Sequence, residues 1–370
     1  MQIGVPKEIK VEEYRVGLTP DSVRQYVAHG HDVLVETCAG EGLGCSDDDY
    51  RTAGALIADH SDQVFKDSKM IIKVKEPQAI ERQMLQQDQI LFTYLHLAPD
   101  PDQTEDLVNS GAVCVAYETV TDANGSLPLL TPMSQVAGRL SVQAGARCLE
   151  KEMGGRGVLL GGVPGVPPAK VTVIGGGVVG EHAIIMALGL GADVTVLDTS
   201  VDALSRLEIR YSPALKTVYS SVSALEEFVA GSDLVIGSVL IPGAEAPKLV
   251  SKHMVKTMKS GSVLVDVAID QGGCFETSKA TTHKNPIYVV DDVVHYCVAN
   301  MPGAVPCTST YALNNVTTPF GLAIADKGWR EALRGDENLR NGLNVCAGHI
   351  TNRAVADALN YEYVDAASVL

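Results

Sequence analysis

VTVIGGGVVGEHAIIMALGLGADVTVLDTS, residues 171–200, reads as one complete nucleotide-binding βαβ unit. A run of β-formers, 171–174, meets Gly175-x-Gly177-x-x-Gly180; an apolar helix follows, and a second β-run ends in Asp198. The glycines have separate tasks: Gly175 permits a tight turn, Gly177 lets backbone approach a pyrophosphate, and Gly180 lets helix and strand pack closely. The pyrophosphate then sits at the helix N-terminus, with Val178 and Val179 in its first turn, where unpaired N–H groups favour negative charge. Asp198 is placed to accept from ribose hydroxyls and to repel a 2′-phosphate, so NAD is expected rather than NADP.

The first 130 residues alternate strand-like and helix-like runs. QIGVP, HDVLVE, MIIKVK, ILFTYLH and AVCVAYETV read as strands, with segments such as DSVRQYVAHG as helices closed by glycine. DANGSLPLLTP, 122–132, breaks the rhythm, and a helix from about Met133 to Met153 leads into the cofactor unit. DLVIGSVL, GSVLVDVAID and IYVVD supply further strands, and the chain after MPGAVP, 301–306, reads as mostly helical. The expected architecture is α/β, with two doubly wound, Rossmann-like parallel-sheet domains flanking a cleft. Residues 131–305 form the NAD-binding domain, and 1–130 with 306–370 form the substrate domain.

Composition narrows the function. At 370 residues the chain is long enough for two cores, and a net charge of −16 argues against a nucleic-acid or anionic-membrane partner. No apolar run is long enough to span a bilayer, and the chain opens on QIGVP with no basic-then-apolar leader. The eight scattered cysteines include no C-x-x-C pair, which together with the missing leader implies a reducing cytoplasm. His29, His31, His182 and His283 fall in helix ends or turns and are read as structural; with no HxH or HExxH pairing with acidic partners, no metal site is expected.

Ligands of open parallel sheets bind beyond the carboxyl ends of the strands. Lys75 ends MIIKVK, His96 ends ILFTYLH, and Arg15 follows the first strand. On the second domain Val239 and Leu240 end one strand and Asp270 another. Arg15 offers a planar fork for a carboxylate, Lys75 a second cation, and His96 a group that moves protons at neutral pH; Asp270 can relay protons as ammonia leaves an imine. Against this stands the plainer reading of each: a solvated surface charge, an ordinary histidine, or a loop cap for Asp270.

VEEYRVGLTP, IIKVKEP, LFTYLHLA, LLTPMSQVAGRLSVQAGA, GGRGVLLGGVPGVPPAKVTVIGGGVVG, VDVAIDQGGCFE and HYCVANMPGAVPCTSTYALNN resemble the signature segments of bacterial alanine dehydrogenases, from Met1 to the C-terminal SVL. The resemblance implies reversible, NAD-dependent oxidation of L-alanine to pyruvate and ammonium. It implies Arg15 and Lys75 as substrate ligands, with His96 and Asp270 sharing proton transfer. Cofactor contacts are implied for Ser134, Gly175, Gly177, Val178, Val179, Gly180, Asp198, Ser220, Val239, Leu240, Val267, Ala268, Ile269, Asp270, Lys279, Val298, Ala299, Asn300 and Met301. Where some relatives carry a basic residue near the ribose, this chain has Ala203. The resemblance also implies C-terminal helices returning to the first domain and a homohexamer; the domains are expected to close over substrate, with the crossings near Pro132 and Pro302 as hinges. Which of His96 and Asp270 activates the water stays open, and glyoxylate or glycine is a plausible side substrate. Two competing readings are a transhydrogenase-like NAD-binding subunit, which predicts an altered Lys75 and His96 pair, and a non-catalytic NAD-binding protein.

Overall fold

A computed structural model describes residues 1–239 and 246–370. The strands run in chain order β1 (Gln2–Val5), β2 (Asp32–Glu36), β3 (Leu56–Ala58), β4 (Met70–Ile72), β5 (Ile90–Thr93), β6 (Val113–Ala116), β7 (Lys170–Ile174), β8 (Asp193–Asp198), β9 (Leu215–Tyr219), β10 (Leu234–Gly237), β11 (Val263–Asp266), β12 (Ile287–Val290), β13 (Val293–Tyr296), β14 (Leu343–Cys346) and β15 (His349–Ile350). They form two compact units, Met1–Met133 with Gly303–Leu370, and Ser134–Pro302.

The first unit holds an eight-stranded sheet in the order β15-β14-β6-β5-β4-β1-β2-β3. From β1 to β6 every neighbouring pair is parallel. β5 and β6 are buried at every position, as strands covered on both faces must be, and Thr93 is their one polar residue besides Cys114, its hydroxyl donating to Lys75 O at 3.0 Å. Phe65, Ile71, Leu91, Cys114, Val345 and Ile350 belong to one core cluster. The chain crosses from β3 back to β4 on the other side of β1, which makes the β1/β4 border the switch point where open sheets bind ligands.

The second unit repeats the plan in seven strands, β12-β13-β11-β10-β7-β8-β9, with its switch point at β7/β10. Its core joins Ile174, Leu197, Val235, Leu264 and Phe275. Among the described residues no helix is long and apolar enough to cross a membrane.

Several expectations need correction. Neither sheet is wholly parallel, since β12 runs antiparallel to β13, and β14 runs antiparallel to both β6 and β15. The C-terminal stretch therefore contains strands as well as helices, and they extend the first sheet. MIIKVK and ILFTYLH end their ladders at Ile72 and Thr93, so Lys75 and His96 stand in the loops just past the strand ends. Asp270 lies in a 3₁₀ turn, Ile269–Gln271, beyond the end of β11. His29 and His31 do share an acidic partner: Asp326 meets His29 Nδ1 at 2.9 Å and His31 Nε2 at 2.7 Å. That contact spans the unit from its first helix to its long C-terminal one, so no local pattern could reveal it.

Candidate active site

In the first unit the site grows from the loop after β1. Asn314, on the helix Pro306–Lys327, anchors that loop by accepting from Thr19 N at 2.8 Å and donating to Gly17 O at 3.1 Å. Glu8 joins it to the neighbouring loop after β4: one carboxylate oxygen takes Val74 N at 2.6 Å and Lys75 N at 3.2 Å, and the other takes Lys73 Nζ at 2.9 Å. Lys73 also donates to Glu81 at 2.7 Å and is wholly buried. The carboxylate thus does for these N–H groups what a further ladder bond would have done.

Arg15 is 2 % exposed. Glu13 takes its Nε at 2.7 Å and an Nη at 2.6 Å, a two-pronged match, and the other Nη reaches Met133 Sδ at 3.1 Å. Burial disfavours the guanidinium charge, but the Glu13 carboxylate more than offsets it and holds the pKa above its ordinary value. Lys75 Nζ lies 3.4 Å from Glu76, whose other oxygen pairs with Lys10. Burial pushes the Glu76 carboxyl up, yet these two lysines outweigh it and bring it below the ordinary carboxylate value.

His96 has the left-handed backbone φ of 51°, unusual for a residue with a Cβ. The Glu118 carboxylate accepts His96 N at 2.6 Å and Leu95 N at 3.2 Å, and one oxygen lies 3.7 Å from His96 Nδ1. The imidazole stacks on Tyr94, with ring centroids 5.8 Å apart and planes 3° from parallel, and the Tyr94 hydroxyl is tied to Leu129 O at 2.6 Å. The ring is 44 % exposed, so a group held in place on one side still meets solvent on the other. A bond from Tyr94 N to Val74 O, 3.3 Å, keeps the loops of Lys75 and His96 side by side. Arg15, Lys75 and His96 therefore occupy the carboxyl edge of three adjacent strands, β1, β4 and β5, at the switch point.

In the second unit β7 enters the glycine turn. Gly175 has φ of 102°, and Gly180 lies so close to it that a Cβ there would sit 1.8 Å from Gly175 O. A Cβ on Gly177 would meet nothing within 4 Å, which leaves open the approach that a pyrophosphate requires. Val178, 42 % exposed, and buried Val179 begin the helix Val178–Gly189. Asp198 at the end of β8 receives Gly176 N at 2.6 Å and Ser200 N at 2.7 Å, its carbonyl takes Ser220 N at 2.9 Å, and Arg206 donates to Gly176 O at 3.0 Å. Val239 follows β10, with a methyl 2.9 Å from where a Gly175 Cβ would be; Leu240 lies outside the described residues. Ser134 precedes Gly138 by one turn of the helix Thr131–Cys148, and Gly138 packs against Val179, where its Cβ would come within 2.2 Å of the carbonyl oxygen.

The loop after β11 is organised by Asp266, whose carboxylate accepts from Ala268 N at 3.1 Å, Cys274 N at 2.8 Å and the Ser278 hydroxyl at 2.5 Å. Burial raises its pKa despite those bonds. This loop carries Val267, Ala268, Ile269 and an exposed Asp270. Lys279 is exposed beyond it, with its N–H on the Tyr288 hydroxyl at 2.7 Å. Val298 and Met301 are buried beyond β13, with Ala299 and Asn300 part-buried between them and Asn300 at φ of 63°. The expected cofactor residues of this unit that the structure describes thus lie along the carboxyl edge of β7, β8, β9, β10, β11 and β13, apart from Ser134, which arrives on its helix, and Lys279, exposed in the stretch between β11 and β12. Sequence reasoning missed Glu8, Glu13, Lys73, Tyr94, Glu118 and Asp266. All but Glu8 lie within quoted segments, but nothing local distinguishes the four carboxylates from surface ones.

Comparison with known proteins agrees with this layout. Residues 4–137 match the family model "Alanine dehydrogenase/PNT, N-terminal domain", and residues 141–353 match "Alanine dehydrogenase/PNT, C-terminal domain". The chain is 61% identical over 370 residues to a Halomonas elongata protein named alanine dehydrogenase, covering 100% of both chains. It is 51% identical over 370 residues, again 100% of each, to one of the same name from Mycolicibacterium smegmatis. A solved structure titled L-alanine dehydrogenase superposes with a TM-score of 0.94 at 53% identity, covering 97% of this chain and 99% of that one. A transhydrogenase from Sinorhizobium meliloti shares the fold at 24% identity and a TM-score of 0.82, covering 96% of this chain and 100% of its own.

Proposed function

Because the chain belongs to the alanine dehydrogenase/PNT family, we propose that it catalyses the reversible, NAD-dependent oxidative deamination of L-alanine to pyruvate and ammonium. The observation that carries this reading is the convergence of Arg15, Lys75 and His96 on the carboxyl edge of β1, β4 and β5, in a chain whose other unit has a glycine turn open to a dinucleotide.

Lys75 and Arg15 hold the alanine carboxylate. Glu13 fixes the guanidinium plane in advance, so little side-chain freedom remains to be lost on binding. The residues present suit NAD: Gly175, Gly177, Gly180 and the first turn with Val178 and Val179 take the pyrophosphate, and Asp198 takes the ribose. Ser134, Ser220, Val239, Leu240, Val267, Ala268, Ile269, Asp270, Lys279, Val298, Ala299, Asn300 and Met301 complete the binding surface. NAD, when bound, accepts the hydride that leaves the substrate carbon. His96 or Asp270 then takes a proton from the water that adds to the imine and returns one to the nitrogen that departs as ammonia. The unit Met1–Met133 with Gly303–Leu370 is the substrate domain and Ser134–Pro302 the cofactor domain of a cytoplasmic homohexamer. Light scattering on the purified protein checks that last statement.

The test is the near-ultraviolet absorbance of reduced nicotinamide when purified protein meets NAD and L-alanine, with NADP and other amino acids as controls. Absorbance should rise with L-alanine and NAD. A rise with another amino acid and none with alanine overturns the substrate assignment. The same observation disfavours the transhydrogenase-like alternative, which predicts an altered Lys75 and His96 pair.

A further inference from the structure

We infer that Glu118 is the positioning residue through which His96 acts. The inference rests on the acid–base role proposed above for His96. Three observations meet at this carboxylate. It is 12 % exposed and accepts the N–H of both Leu95 and His96, the latter at 2.6 Å. Those two N–H groups belong to the segment in which β5 has left its ladder, and His96 takes a left-handed φ of 51°. The same oxygen that receives His96 N is 3.7 Å from Nδ1 of its ring. One group thus sets both the backbone turn that carries the imidazole and the ring nitrogen that faces the protein.

The stack on Tyr94 fixes the ring plane but leaves open which edge is turned outward. A negative charge beside Nδ1 chooses that edge, because it favours an N–H at Nδ1 and leaves Nε2 to exchange the proton with substrate or water. An acid–base group is effective only when the nitrogen that exchanges the proton is the one presented. Nothing else named around His96 combines a formal negative charge with contacts to backbone and ring.

The experiment compares full-length Glu118→Gln, Glu118→Ala and His96→Ala with the wild-type enzyme. Active sites are counted by NADH titration, and kcat and KM for alanine are measured per NADH-binding site. Glu118→Gln keeps an oxygen to receive the His96 N–H but removes the charge beside Nδ1; Glu118→Ala removes both. The expected result is a fall in kcat of about tenfold or more for Gln and a larger fall for Ala, within the roughly 10²–10⁴-fold that one acid–base group supplies. The KM for alanine and the NADH affinity should stay near wild type. A purely structural role lowers yield or thermal stability but leaves kcat per site unchanged, and that result overturns the inference. Glu118→Gln is nearly isosteric, so the question is decided even if Glu118→Ala does not fold. If His96→Ala retains wild-type turnover, the reading of His96 falls first and the inference with it.

Discussion

Replacing Lys73 by methionine should damage this protein far more than its place between two better-marked residues suggests. The ammonium is wholly buried against two carboxylates, Glu8 at 2.9 Å and Glu81 at 2.7 Å. At an effective dielectric near 20 each contact amounts to about 6 kcal/mol of attraction, set against a desolvation cost of several kcal/mol for each of the three ions. The intact cluster is therefore near balance. Removing the cation is not, because Glu8 and Glu81 stay buried without their partner, a loss of about 3–5 kcal/mol. In a unit of about 200 residues this lowers Tm by roughly 10 °C, since each kcal/mol shifts it by about 2–4 °C.

The pH dependence has a definite sign. Burial already raises the Glu8 pKa above its ordinary value of 4.5, and Lys73 is the stronger of the two influences pulling it down, the other being the hydrogen bond from Val74 N. Without Lys73 it rises further. A carboxyl raised in the folded state gives its full contribution below the unfolded pKa and loses it as pH rises through the folded one. The deficit of Lys73→Met should therefore be largest at neutral and alkaline pH and shrink on acidification toward 4.5. Thermal and urea unfolding of both proteins across that range measure it. A loss below about 1 kcal/mol at neutral pH, or one that does not change with pH, would refute the reasoning.

The glycine turn permits a paired test. Gly177→Ala should melt like wild type, because its Cβ meets nothing, yet bind NADH at least about tenfold more weakly; Gly180→Ala should fail to fold its unit stably, since its Cβ would lie 1.8 Å from a carbonyl oxygen. Calorimetry and NADH fluorescence separate the two, and equal behaviour would contradict the assignment of roles. His96→Gly should abolish most turnover, by about 10²–10⁴-fold, without lowering Tm, because glycine adopts φ of 51° freely and regains about 1 kcal/mol of strain. A clear drop in Tm would show that His96 also stabilises the fold. Asp266→Asn should cost about 2–3 kcal/mol and weaken NADH binding through the loop 267–278, because an amide NH₂ cannot accept from Cys274 N or Ser278. Unchanged NADH affinity would detach that loop from the cofactor site.

The parts of this molecule governed by local patterns were legible. The glycine turn, Asp198 and the long apolar strands carry their reasons within a few residues, and the strand-end rule led to Arg15, Lys75 and His96. Short or half-polar strands were not legible: Leu56–Ala58 has three residues, and Leu215–Tyr219 has one buried position. Nor could sequence separate Lys73 from Lys75, two lysines in one run of β-formers. One is sealed by Glu8 and Glu81, 65 residues before it and 8 after, and the other keeps 12 % of its side chain in solvent. The strands also stop early for a non-local reason. Glu8 and Glu118 take up backbone N–H groups past Ile72 and Thr93, which ends the ladder and frees the chain to present Lys75 and His96. A carboxylate distant in sequence is invisible to periodicity, so the residues that hold the site were found only in the structure.

The central claim is that a hydride leaves the α-carbon of L-alanine for a nicotinamide, and isotopic labelling tests it most directly. With L-alanine deuterated at the α-carbon and unlabelled NAD, mass spectrometry should find a single deuterium in the reduced cofactor, together with pyruvate and ammonium in equal amounts. Reduced cofactor without deuterium, or pyruvate formed without cofactor reduction, would contradict it.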